Sequence, residues 1–137
     1  MPITLPRLAH TMIRVSDLQA SIDFYALHLG MSIQRREEYP EGRFSLVFLG
    51  YGDEDHHPLI ELTHNWDPHP IDPGQAWGHI AIWVSDLYEM VERLRRANIM
   101  IYREPGPMSV KPRSGRREEI AFLRDPDGYA IELIQAE

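Results

Sequence analysis

At 137 residues the chain is sized for one compact domain or two small subdomains sharing a core, and it needs no staple to fold. It contains no cysteine, which excludes disulfides, thiolate metal sites and a cysteine nucleophile. With 14 Lys+Arg against 21 Asp+Glu the net charge is −7, a poor match to nucleic acid, and no run approaches the ~18 apolar residues of a membrane span. The opening MPITLPRLAH lacks a basic region followed by an apolar stretch, so no secretory leader is expected and a cytoplasmic location is the default.

In chain order, HTMIRV (10–15) is rich in apolar and β-branched residues and reads as a strand. Ser16 stands where a helix N-cap is wanted, and Ser16 with Gln19 forms a capping box. Leu18, Ile22, Tyr25 and Leu29 then fall on one helical face, and Gly30 stops the helix. Three extended segments follow, at about 31–39, 44–51 and 58–63, with Pro40-Glu41-Gly42 and Gly52-Asp53 as turns. NWDPHPIDPGQAWG, with three prolines, is a linker placed at about 66–76. HIAIWV (79–84) is the next strand, Ser85 the next N-cap, and Leu87, Met90, Val91, Leu94 and Ala97 the apolar helical face, ended by Asn98. Extended segments at about 100–104, 119–123 and 129–134 complete the chain, with DPDG as the last turn. KPRSGRR (111–117) carries Lys111, Arg113, Arg116 and Arg117 with no acidic residue, a pattern usual in a solvated loop.

The two halves say the same thing. HTMIRVSDL at His10 and HIAIWVSDL at His79 share His-x-x-Ile-x-Val-Ser-Asp-Leu at an offset of 69. LIELT at 59–63 and AIELI at 130–134 match at an offset of 71. Two matches in the same order at nearly the same offset indicate duplication. The expected architecture is α+β, one domain over 1–137 built from two βαβββ modules (about 8–65 and 77–135), with curved sheets around a shared cleft.

Each module opens with a histidine and closes with a glutamate. Side chains two apart on a strand share a face, so His10, Met12 and Arg14 point one way, and Glu61 and Thr63 do likewise. A glutamate between Ile and Leu in a central strand is a costly buried charge if unpaired. A lone strand histidine is more often a satisfied core residue than a ligand. The recurrence of both residue types at matching positions instead points to a metal site of His10, Glu61, His79 and Glu132, in which two imidazoles and two carboxylates balance a divalent ion. Of the remaining histidines, His28, His56, His57, His64 and His69 have no repeat partner.

HTMIRVSDLQASIDFY, LGM, SLVFLGYG, IELTHNW, GHIAI and DPDGYAIELI together resemble the bacterial glyoxalase I (lactoylglutathione lyase) branch of the vicinal-oxygen-chelate superfamily, over nearly the whole chain. The resemblance implies paired βαβββ modules and a homodimer, with His10 and Glu61 of one subunit meeting His79 and Glu132 of the other. It implies isomerisation of the methylglyoxal–glutathione hemithioacetal to S-lactoylglutathione through an enediolate. Glu132 would be both ligand and proton-transferring base, with Glu61 on the opposite side of the substrate. Arg14, Asn65, Gly106 and Lys111 are the positions it assigns to glutathione, although GPMSVKPRSGRREE is longer here than the corresponding loop of related bacterial enzymes. Mixed imidazole and carboxylate ligands suit octahedral ions, and the short segment between NW and GH is similar to the compact nickel-preferring branch. Ni²⁺ is favoured, with Co²⁺ or Zn²⁺ as alternatives. Dioxygenase chemistry is disfavoured, because a second glutamate fills a position that iron–oxygen chemistry keeps open. A metal-dependent thioester epimerase and a metal-free small-molecule binding module are the other readings. Metal content separates the module, and product analysis separates the epimerase.

Overall fold

A computed structural model describes residues 3–137, and the chain divides into two compact units, Met1–Ile71 and Asp72–Glu137. The division falls inside the proline-rich stretch. In unit one, β1 (His10–Arg14) leads into α1 (Leu18–Ile22), which continues as a π-helix (Asp23–His28). The strands β2 (Ser32–Tyr39), β3 (Phe44–Gly50) and β4 (Leu59–Asn65) follow. They form one four-stranded sheet in the order β1-β4-β3-β2, with β1 parallel to β4 and the other pairs antiparallel. Unit two repeats this plan with β5 (Ile80–Val84), α2 (Leu87–Arg96), β6 (Ile101–Pro107), β7 (Glu119–Arg124) and β8 (Ala130–Gln135), in the order β5-β8-β7-β6.

Period-2 alternation places the core. In unit one Ile13, Val15, Val47, Leu49, Ile60 and Leu62 are buried on one side of the sheet, together with Ile22, Phe24 and Tyr25 of the helical segment. In unit two Ile82, Val84, Ala121, Leu123, Ile131 and Leu133 are buried with Leu87, Val91 and Leu94 of α2. The intervening positions of β1 and β5 (His10, Met12, Arg14, Ala81, Trp83) are exposed. One helix covers one face of its sheet, so the residues of the opposite face are left for other work.

Three local expectations need correction. The N-caps are Asp17 and Asp86, not Ser16 and Ser85: each aspartate is extended, and its carboxylate accepts the backbone N–H three residues on (Ala20 at 3.0 Å, Glu89 at 3.1 Å). A charged acceptor binds the free helix N–H groups more strongly than a hydroxyl does. Gln19 does not reach back to close a capping box, but donates forward to Asp23 at 2.8 Å. The first helix is also not α-helical throughout. Its second half is a π turn, closed by the Leu29 N–H on the Phe24 carbonyl at 3.0 Å, which brings the adjacent Phe24 and Tyr25 both into the core. The β2–β3 turn falls where expected, and its left-handed residue is Arg43 (φ 57°). Arg43 is held there by a two-pronged ion pair with Asp67 at 2.8 and 3.0 Å.

The helix stops fall where expected: Gly30 (φ 79°) and Asn98 (φ 63°) are left-handed, the conformation that closes a helix C-terminus. In the DPDG turn the buried Asp125 carboxylate accepts the N–H groups of Asp127 and Tyr129, at 3.0 and 2.8 Å.

Candidate metal centre

Register brings each histidine to its glutamate. β1 runs parallel to β4 with Met12 opposite Glu61, which sets His10 one diagonal step away on the same face. His10 Nε2 lies 3.2 Å from Glu61 Oε1. In unit two Ala81 is opposite Glu132, and His79 Nε2 lies 3.3 Å from Glu132 Oε1. Both carboxylates are mostly covered (13% of the side chain exposed) while the imidazoles are open (39% and 43%), so each pair has a sealed rear and an accessible front.

A third residue completes each pair, and the pattern of ligand types gives no hint of it. Phe48 and Phe122 stand opposite Glu61 and Glu132 in the antiparallel register. Their rings meet the imidazoles edge-on, at centroid distances of 5.4 Å and 5.3 Å and interplanar angles of 76° and 77°. The signal was present in the duplication, as the matching Phe-Leu of VFL and AFL, but only strand pairing reveals what the ring touches.

Behind the rings the units diverge. In both, a β-bulge precedes an arginine in register with the phenylalanine: Arg35 opposite Phe48, and Arg103 opposite Phe122. The Arg35 guanidinium covers Phe48, 3.8 Å from the ring centroid, and Phe48 is only 3% exposed. Its Nε hydrogen-bonds both Glu54 carboxylate oxygens at 2.8 and 2.9 Å, and this bonding holds its pKa above the usual arginine value. Arg103 turns away to donate to the carbonyls of Glu104, Gly106, Ile120 and Pro107, and Tyr102 approaches Phe122 instead, at 5.7 Å. These bonds also explain why β6 runs past the expected end at Glu104.

The glutamates differ too. Thr63 Oγ1 donates to Glu61 Oε2 at 2.7 Å. Ile134 occupies the corresponding position after Glu132 and supplies no hydroxyl.

The donor chemistry fits a divalent cation. Neighbouring ligands about 2.0–2.1 Å from one ion stand about 3 Å apart, which is the size of both N···O separations. Among the described residues no single group of three or more His, Cys, Asp or Glu side chains forms a ligand cluster, and each unit brings together one histidine and one glutamate.

Of the other expected site residues, Arg14 lies at the end of β1 on the His10 face, and Asn65 ends β4 opposite Phe44. Gly106 lies in the bulged β6 as an acceptor for Arg103, and Lys111 is exposed in the loop beyond. Unit one thus holds His10, Glu61, Arg14 and Asn65, and unit two holds His79, Glu132, Gly106 and Lys111.

Comparison with known proteins identifies the family. The family model described as Glyoxalase/Bleomycin resistance protein/Dioxygenase superfamily matches residues 7–133. The lactoylglutathione lyase of Neisseria meningitidis serogroup A is 54% identical over 129 residues, covering 94% of this chain and 90% of that protein. That of Salmonella typhimurium is 49% identical over 130 residues, covering 95% and 93%. The solved structure of the trypanothione-dependent glyoxalase I of Leishmania major superposes with a TM-score of 0.80 at 42% identity, covering 96% of this chain and 87% of that one. The chain belongs to the glyoxalase/bleomycin resistance protein/dioxygenase superfamily and, within it, to the lactoylglutathione lyase family.

Proposed function

We propose that this protein is a lyase of methylglyoxal detoxification, acting in the cytoplasm on the methylglyoxal–glutathione hemithioacetal to form S-lactoylglutathione. The observation that carries the reading is the twinned His–Glu pair, repeated to within 0.1 Å with the same edge-on phenylalanine. It is supported by relatives named lactoylglutathione lyase that match nearly end to end.

His10, Glu61, His79 and Glu132 would hold one divalent cation, which supplies Lewis-acid stabilisation of negative charge on the substrate's adjacent oxygens. The chain's own residues do the rest. The Glu132 carboxylate takes the proton from the carbon bearing sulfur and returns it to the neighbouring carbon, a transfer that conserves oxidation state. Phe48 and Phe122 fix the imidazole planes and keep water from the carboxylate flanks. Arg14 and Asn65 bind the glutathione portion, whose two carboxylates call for guanidinium and amide donors, and Gly106 and Lys111 line its loop side. Each unit carries only half of the ligand set, which favours a homodimer in which His10 and Glu61 of one subunit work with His79 and Glu132 of the other. Mixed imidazole–carboxylate donors favour Ni²⁺ over Zn²⁺.

The test is turnover of the hemithioacetal by metal-stripped protein, with Ni²⁺ and Zn²⁺ restored separately. Greater recovery with Ni²⁺ is expected. Recovery with Zn²⁺ alone would keep the activity and overturn the choice of metal, and tight metal binding without turnover would overturn the activity.

A further inference from the structure

The duplication makes the two glutamates equivalent in backbone position, yet a reaction that moves one proton needs one base. Two residues beyond each glutamate, on the same strand face, only one copy carries a hydroxyl: LIELT has Thr63 where AIELI has the apolar Ile134. Thr63 is buried, and its Oγ1 donates to Glu61 Oε2 at 2.7 Å, while Glu61 Oε1 faces His10 at 3.2 Å. Both Glu61 oxygens are therefore committed. Glu132 Oε1 faces His79 at 3.3 Å, and among the described residues the Glu132 carboxylate makes no side-chain hydrogen bond.

We propose that Thr63 is a positioning residue that divides the labour between the glutamates: its hydroxyl pins Glu61 as a fixed ligand, and Ile134 leaves one Glu132 oxygen free to accept and return the substrate proton. A carboxylate that carries a proton between adjacent carbons must swing by about the length of a C–C bond and must present an unoccupied lone pair. A carboxylate held at both oxygens does neither without first breaking a charge-assisted hydrogen bond. The apolar Ile134 also offers Glu132 no competing donor. The inference rests on the lyase reading above and gives a chain-specific reason for the choice of base.

The test uses the full-length, Ni²⁺-loaded protein and five variants. Glu132→Gln removes the assigned base, and Thr63→Val in that background releases Glu61, so turnover is expected to rise at least tenfold over Glu132→Gln alone. Ile134→Thr, which gives Glu132 a hydroxyl of its own, is expected to lower kcat about tenfold with Ni²⁺ affinity changed less than threefold, in the range usual for groups that orient metal ligands. Thr63→Ser keeps the hydroxyl and is expected to behave as wild type. Independently of activity, the Glu61 carboxylate stretch in the infrared spectrum of metal-free protein should shift in Thr63→Val and not in Thr63→Ser. Equal inactivity of Glu132→Gln with and without Thr63→Val, beside an active wild type, overturns the inference and leaves the lyase reading intact. A wild type inactive with either ion overturns both.

Discussion

Glu132 and Arg14 occupy equivalent open faces of the two units, and the roles proposed for them differ in what their loss should change. Glu132→Gln keeps an oxygen donor and removes the proton acceptor, so turnover should fall by at least about a hundredfold, the scale of general-base catalysis. Ni²⁺ affinity, measured calorimetrically, should fall far less. Normal turnover in that variant would remove Glu132 as the base. Arg14→Ala should act on binding: loss of a charge-assisted contact to a carboxylate is worth about 1.5–3 kcal/mol, or roughly a ten- to hundredfold rise in KM with kcat little changed. Unchanged saturation behaviour would sink that role. At this scale the paired residues proposed as ligands were legible in the repeated histidine and glutamate, whereas Phe48 and Arg35 were not. A ring that touches His10 from β3, and a guanidinium that lies on that ring from β2, are neighbours only after the strands have paired.

The helices and strands depend on their end residues. If Asp86 and not Ser85 caps α2, Asp86→Ala should cost about 1 kcal/mol in denaturant unfolding and Ser85→Ala close to nothing. The reverse order would restore the serine as cap. The link between β3 and the first helix gives a pH signature. The Tyr51 ring is half exposed, but its hydroxyl turns inward and donates to the Leu29 carbonyl at 2.7 Å, and burial of that hydroxyl pushes its pKa up to about 12. A raised folded-state value means that the stabilisation is whole below the unfolded pKa of about 10 and is lost as pH rises towards 12. Thermal midpoints of the native protein should therefore fall more steeply between about pH 10 and 12 than those of Tyr51→Phe; parallel curves would show that the tyrosine is not linked to folding. Apolar spacing placed these elements to within a few residues. It gave no sign of the π turn at Asp23–His28, because both a π and an α turn bury the same apolar stripe and the choice falls to packing around Phe24 and Tyr25.

At the scale of the molecule, two half-sets of ligands and a proposed homodimer make a complementation test decisive. His10→Ala and His79→Ala proteins should each be inactive. If each site pairs His10 of one subunit with His79 of the other, a mixed dimer has one site lacking both histidines and one intact site. Refolding the two variants together should then recover about a quarter of wild-type turnover, since statistically half the dimers are mixed and each has one working site. Sites built within one chain would recover none. The acidic balance of −7 sets a further boundary, since an anionic substrate must be drawn in by local cations and not by the protein's overall field.

The α+β class, the twofold βαβββ plan, the helix stops at Gly30 and Asn98, and the His–Glu pairs could all be read from the chain, because each depends on spacing within a segment or on comparison of one half with the other. Period-2 alternation names a strand's buried face without knowledge of its neighbours, and duplication names residues that share a task. Four things depended on the fold: which ring supports which imidazole, that Arg35 and Arg103 take different partners from equivalent positions, that aspartates outcompete serines as caps, and that Thr63 holds Glu61. Each is a competition between alternative partners. Local sequence offers the candidates, and only strand register and burial decide which donor is close enough, and dry enough, to win.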